Sequence, residues 1–346
     1  MHYLLRPRSF VRPRAAAVLA IVLSACSSDD VVSPPERAEG VFTVDASAGW
    51  VYVSLRDSAV ITPTPSASES SAWDVAFFAT NVTLNGGDAG PGGVTGFCVC
   101  QNASAANAQV LAMTPESEAD DFASVTAVPA GATFIEDVAT PAISGWFAGS
   151  GASATADPSK TFLVRLADSL AYAKVRVATL AEPTAISAGR VTLEYGVQAS
   201  PTAALGPTRT LTVDLSTGPK SVDLNTGTVT TSSTDWDLRL SGFSIRVNGG
   251  VSGPGKAGAA TESASFESVA SAKTADQAYR TDVYAGVFGT QRYYRYNIGG
   301  DNRISPTFDV YLLKRGDAVY KLQILNYYSP TGEPRHITFR YEQIAG

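Results

Sequence analysis

Histidine is almost missing from this chain: 346 residues contain two, His2 and His336. Methionine is as scarce, with Met1 and Met113, and cysteine adds three, at 26, 98 and 100. A Ser-His-Asp triad would have to recruit His336, and no nucleophile-elbow motif stands with it. No spacing singles out a catalytic carboxylate pair either. The sequence therefore predicts a protein that is not an enzyme. Charge is thin as well, at 17% Asp, Glu, Lys and Arg with a net charge of −6. That lacks the basic footprint a nucleic-acid partner requires. Beyond the N-terminus no apolar run is long enough to span a bilayer.

What is abundant is Thr, Ser, Ala, Gly and Val, with Pro and Gly scattered throughout, a composition that favours many short strands over helices. At the N-terminus, Arg6, Arg8, Arg12 and Arg14 precede the apolar run 15–23, too short to be a stable spanning helix. Leu23-Ser24-Ala25-Cys26 follows and resembles a bacterial lipobox, in which Cys26 is acylated and becomes the mature N-terminus. More than one acyl chain gives stable membrane attachment. Ser27 after that cysteine resembles the sorting signal for the outer membrane. Cleavage there would remove four arginines and no acid, taking the net charge from −6 toward −10.

The body of the chain is written twice. Trp73-Asp74, Asn85-Gly86-Gly87 and Gly90-Pro91-Gly92 recur as Trp236-Asp237, Asn248-Gly249-Gly250 and Gly253-Pro254-Gly255, all at an offset of 163. Apolar residues alternate with polar or small ones from each Trp-Asp, which predicts strands with one buried face. The phase changes after Gly242, suggesting a bulge or bend. Phe122 aligns with Phe266, Asp137-Val138 with Asp282-Val283, and each repeat closes with three more strands. Short helices are expected near 120–127 and 265–271. The resulting map is a signal at 1–25, a tether at 26–40, repeat one at 41–197, a linker at 198–208 and repeat two at 209–346. Each repeat is expected to form its own all-β, antiparallel domain. Gly92 to Phe122 spans 30 positions and Gly255 to Phe266 spans 11, so repeat one carries an insertion, placed at about 97–115.

The Trp-Asp strand, the Asn-Gly-Gly-x-Ser-Gly-Pro-Gly loop of 248–255 and the ending Leu312 to Asp317, Tyr320 to Ile324 and Ile337 to Tyr341 together resemble the HmuY-like proteins. Repeat two carries that pattern in full and repeat one in weakened form. The resemblance implies tandem all-β modules on a lipid anchor that bind haem, or a related tetrapyrrole, and pass it to an outer-membrane receptor. It also implies two axial side chains, usually His and in some members Met. This chain departs from that, because His336 is its only histidine after the signal. The competing reading is a surface module that kept the fold without haem and recognises protein or carbohydrate.

The remaining donors fall in two places. The insertion holds Cys98, Cys100 and Met113. Its C-x-C leaves several states open: an uncommon small-ring disulfide, buried thiols, a soft-donor site for copper or haem iron, or pairing with a second chain. Repeat two concentrates tyrosines, among which Tyr293, Tyr294 and Tyr296 could supply a phenolate to haem iron. Arg292 and Arg295 beside them suit propionates. The glycine loops lack a P-loop's Lys-Ser/Thr and read as backbone turns. Trp73 and Trp236 read as core anchors, with Asp74 and Asp237 satisfying backbone groups near each strand start.

Overall fold

The computed structural model describes residues 39–272 and 278–345. The signal, Cys26 and most of the tether lie outside them. The Trp-Asp strands form as their alternation predicts: Val75–Phe78 and Leu238–Ser241 each lie in a four-stranded antiparallel sheet. The phase change at Gly242 is a tight turn, since Ser241 pairs with Ser244 and Gly242 has φ +56°. Of the two expected helices, Ala119–Ser124 forms, whereas 265–271 is bends and turns.

Two five-stranded antiparallel sheets dominate, and they have the same order of equivalent strands. One runs Glu39–Asp45, Pro334–Ile344, Ala318–Tyr328, Val310–Arg315, Val94–Cys98. The other runs Arg209–Asp214, Arg190–Val197, Tyr172–Ala181, Thr161–Arg165, Gly258–Glu262. Each sheet mixes both repeats. The expectation that 41–197 and 209–346 fold as separate domains is therefore corrected: the repeats exchange their C-terminal halves. The apolar cores follow the exchange. One joins residues 44–98 to 287–341, and the other lies within 143–259.

The short linker explains this pairing. The last strand of repeat one and the first of repeat two are joined by few residues, so they meet as sequence neighbours, Arg190 opposite Asp214 and Tyr195 opposite Arg209. Closing a short loop costs less entropy than closing the long one that self-pairing would need. The equivalent strands at the two ends of the chain then pair with each other, Val44 opposite Ile337. The chain crosses between the lobes twice, and the crossing segments pair antiparallel, Ala139 with Tyr284 and Thr140 with Val283.

Within this exchange the two lobes repeat their contacts closely. Trp73 and Trp236 are buried, and their indole N–H groups donate to Ala67 O at 2.9 Å and Ser233 O at 3.2 Å. The Asn85 amide donates to Trp73 O and its Oδ1 accepts from Gly92 N–H; Asn248 does the same with Trp236 O and Gly255 N–H. Gly87 and Gly250 have φ of +59° and +64°, and a Cβ there would lie 2.4 Å from Asp137 O and 2.2 Å from Asp282 O. Only glycine fits both demands. Lys321 of repeat two donates to Phe122 O of repeat one and sits over its ring, and Lys174 does the same to Phe266 in the opposite sense.

Candidate functional site

The insertion is pinned to the other repeat. Asn102 N–H donates to Asp309 Oδ1 at 2.9 Å, its amide donates to Thr307 O at 3.0 Å, and Gln101 Oε1 accepts from Val310 N–H at 3.2 Å. It then forms the short helix Asn107–Ala112, which buries Val110 and delivers Met113 at its C-terminal end. Opposite stands the repeat-two hairpin of Tyr294–Tyr296 and Ile304–Pro306. An open cleft of about 370 Å³ lies between them, with Met113 and Val110 on one side and Arg303, Phe308 and Tyr328 on the other. The Arg303 guanidinium is stacked 4.0 Å from the Tyr328 ring centre, and the Tyr328 hydroxyl accepts from Ile304 N–H at 2.9 Å. The cleft thus offers a soft thioether, an aromatic wall and a cation held at a fixed place.

Several residues suggested by sequence are not available there. Cys98 and Cys100 are bonded to each other, with Cα atoms 5.0 Å apart, so as haem-ligand candidates they are corrected: neither sulfur is a thiolate while the bond stands. Tyr293 is 2% exposed in the core, its hydroxyl has no hydrogen-bond partner among the described residues, and burial pushes the phenol well above its usual range. Sealed among core residues, it does not line the cleft. Arg295, proposed for a propionate, donates to Asn107 Oδ1 at 2.9 Å and to Ala103 O at 3.3 Å; it holds the insertion in place. Strand alternation separates these two from their neighbours. Tyr296 is exposed, with its hydroxyl on Asn302 Oδ1 at 3.2 Å. Arg292 and Tyr294 line a different cavity, at the crossover between the lobes. Sequence reasoning overlooked Arg303; its signal was an arginine in a hairpin turn within the tyrosine-rich stretch.

His336 lies in a strand paired on both sides. Its Nε2 is 3.8 Å from Asp45 Oδ2. Among the described residues no group of His, Cys, Asp and Glu could hold a metal ion, and no helix is long and apolar enough to cross a membrane.

The glycine loops and their aspartates are structural. Asp74 Oδ2 accepts from Leu55 N–H at 2.7 Å and its Oδ1 pairs with Arg315 at 2.5 Å. Asp237 accepts instead from Leu224 and Ala167 N–H groups. At the crossings, Asp137 accepts from Leu84 N–H at 2.8 Å and from the Thr83 hydroxyl. Asp282 accepts from Ala142 and Val247 N–H at 2.7 and 3.0 Å. Burial pushes Asp137 up to about 6 and raises Asp282 as well, with those hydrogen bonds opposing it.

Comparison with known proteins agrees with the repeat pattern. Residues 46–195 and 209–341 both match the family described as HmuY protein. Among solved structures, the chain is similar to an apo HmuY analog of Tannerella forsythia, at 10% identity over 90% of this chain and 98% of that one, with a TM-score of 0.34. It is also similar to a protein of Bacteroides vulgatus provisionally assigned as HmuY-like and haem-binding, at 11% identity, 89% and 93% coverage and a TM-score of 0.35. A third, provisionally assigned as a lipoprotein of Bacteroides fragilis, shares 11% identity over 88% of each chain, with a TM-score of 0.33. No curated protein matches the chain. The double family match spans both sequence repeats and nearly all of the described residues, so the chain belongs to the HmuY family and carries the family's unit twice.

Proposed function

We propose that this protein is a binding protein of the cell envelope, anchored through an acylated Cys26, that captures haem or a related tetrapyrrole and hands it to an outer-membrane receptor. The reading is supported by family membership and, above all, by one observation. The insertion of repeat one closes on the hairpin of repeat two and sets Met113 across a cleft from Arg303 and Tyr328. In this reading Met113 supplies one thioether to haem iron, Arg303 meets a propionate, and the Tyr328 and Phe308 rings bear on the porphyrin face. The cleft, about 370 Å³ and open to solvent, would admit the edge of the ring. Tyr296 and Tyr294 remain alternative phenolate donors.

Haemin titration of the purified protein under oxidising and reducing conditions tests this. A saturable Soret shift at one equivalent is expected, stronger when iron is ferrous, because a thioether is a soft donor. Met113→Ala should abolish that shift, and Arg303→Ala should weaken binding about tenfold, the cost of one charge-assisted hydrogen bond. A featureless titration would favour the alternative, a surface module for protein or carbohydrate. A shift that survives in Met113→Ala and fails in Tyr294→Phe would move the iron away from the insertion.

A further inference from the structure

A cavity larger than the Met113 cleft lies where the chain crosses between its lobes, and the two share no lining residue. Its volume, about 670 Å³, is within the roughly 300–1,000 Å³ usual for small-molecule sites. One wall is Trp50 and Phe78, whose ring centres are 5.7 Å apart. The lining also includes Tyr284 on a crossing strand, Phe288 on the short helix Val287–Thr290, and Tyr294. The glycine loop of the other lobe, 250–255, closes another side with backbone. The exchange of halves creates this space, since its walls come from both lobes.

The charges on the lining specify an occupant. Asp282 is 1% exposed, its oxygens accept from the N–H groups of Ala142 and Val247, and burial pushes it toward the neutral acid, so it is turned away from the lining as a charge. Arg292 is exposed on the lining, and among the described residues it makes no hydrogen bond and no ion pair. The Tyr284 phenol, pushed up to about 12 by burial, is neutral at physiological pH. One free cation beside an aromatic-walled space is complementary to a flat apolar body carrying one carboxylate. A haem, with two propionates, would leave one unmatched.

We infer that the crossover cavity is a second binding site, for an aromatic monocarboxylate, with Trp50, Phe78 and Phe288 enclosing the ring and Arg292 binding the carboxylate. This goes beyond the haem reading and stands apart from the Met113 cleft.

The test is a titration of the purified protein with 2-naphthoate, read by tryptophan emission and by calorimetry. Trp50 is the one tryptophan lining the cavity, since Trp73, Trp146 and Trp236 are buried elsewhere, so Trp50→Phe identifies the reporter. Saturable quenching is expected. Arg292→Met should weaken naphthoate binding at least tenfold, while neutral 2-naphthamide binds both forms alike. Met113→Ala should leave naphthoate binding unchanged, which keeps this site separate from the haem cleft. Arg292 is exposed, so its substitution does not threaten folding, and an unchanged melting curve will show that. The inference is overturned by an absence of saturable binding, by equal affinities in wild type and Arg292→Met, or by loss of naphthoate binding in Met113→Ala.

Discussion

Cutting the backbone once, in the exposed stretch 199–202 of the linker, separates the repeats without touching a core residue, and the exchanged fold makes a definite prediction for the product. Take only the lobe within 142–262. Pulling repeat two out of it exposes Val213, Val222, Leu224, Leu238, Ile245 and Val247, each at most 2% exposed in the intact chain. At about 1.5–3 kcal/mol per side chain these six alone are worth roughly 9–18 kcal/mol, an upper estimate. The other lobe must open at the same time and costs a similar amount. Reassociation of two chains costs about 4–15 kcal/mol, well below the total. A protease site placed in the linker should therefore give two bands in a denaturing gel and one particle of full mass in native size exclusion. Co-elution alone would also follow from two tightly docked domains, so the decisive step is refolding. Fragments 39–200 and 206–346, separated in urea and diluted alone, should not give a cooperative folded monomer; mixed, they should recover the native circular dichroism and melting curve. If either fragment refolds alone as a cooperative monomer, each repeat closes on itself and the exchange is refuted.

Two further perturbations probe the polar supports. Asp137 has its pKa raised to about 6 by burial, above an unfolded value near 3.8, so the folded state holds the proton more tightly. Its contribution is intact below about pH 4 and lost as pH rises to about 6, by on the order of 3 kcal/mol; urea midpoints of wild type and Asp137→Asn should diverge across that window, and parallel curves would contradict the assignment. Arg315→Met leaves the Asp74 carboxylate, 2% exposed, without its cation, and should cost about 3 kcal/mol by denaturant titration. A loss below 1 kcal/mol would mean the Leu55 N–H bond suffices.

The duplication was legible because its fixed points are residues with no substitute. A buried Asn that ties two carbonyls to a loop N–H, and a glycine at positive φ against a carbonyl, tolerate nothing else, so they stand at one spacing in both copies. The exchange was not legible, for the same reason: identical patterns in the two copies fit either partner equally well, and only the short linker breaks the tie. The strand face of a residue could be read, but not what covers that face. Tyr293 and Arg295 are two residues apart and share a phase in the sequence, yet one is sealed in the core and the other is spent on the insertion. Cys98 and Cys100 were visible as a pair, and their bonding to each other was one of several states their spacing allowed.

The exchange also changes what the sequence asymmetry means. Repeat one owns the insertion and repeat two owns the tyrosine- and arginine-rich hairpin, which in separate domains would leave each half-equipped. Because the C-terminal halves trade places, both land in the lobe of 44–98 and 287–341 and meet across the Met113 cleft. The other lobe receives neither. Its loop from Gly255 to Phe266 is short, and where the first lobe has a three-residue ladder it has only Phe147–Ala148 against Thr155–Ala156. That plainer lobe is nevertheless required, because it supplies the 250–255 loop that walls the crossover cavity and the crossing strand that pairs with Val283–Tyr284. One lobe therefore holds the Met113 cleft and the other completes the crossover, so loss of either copy would disable the pair.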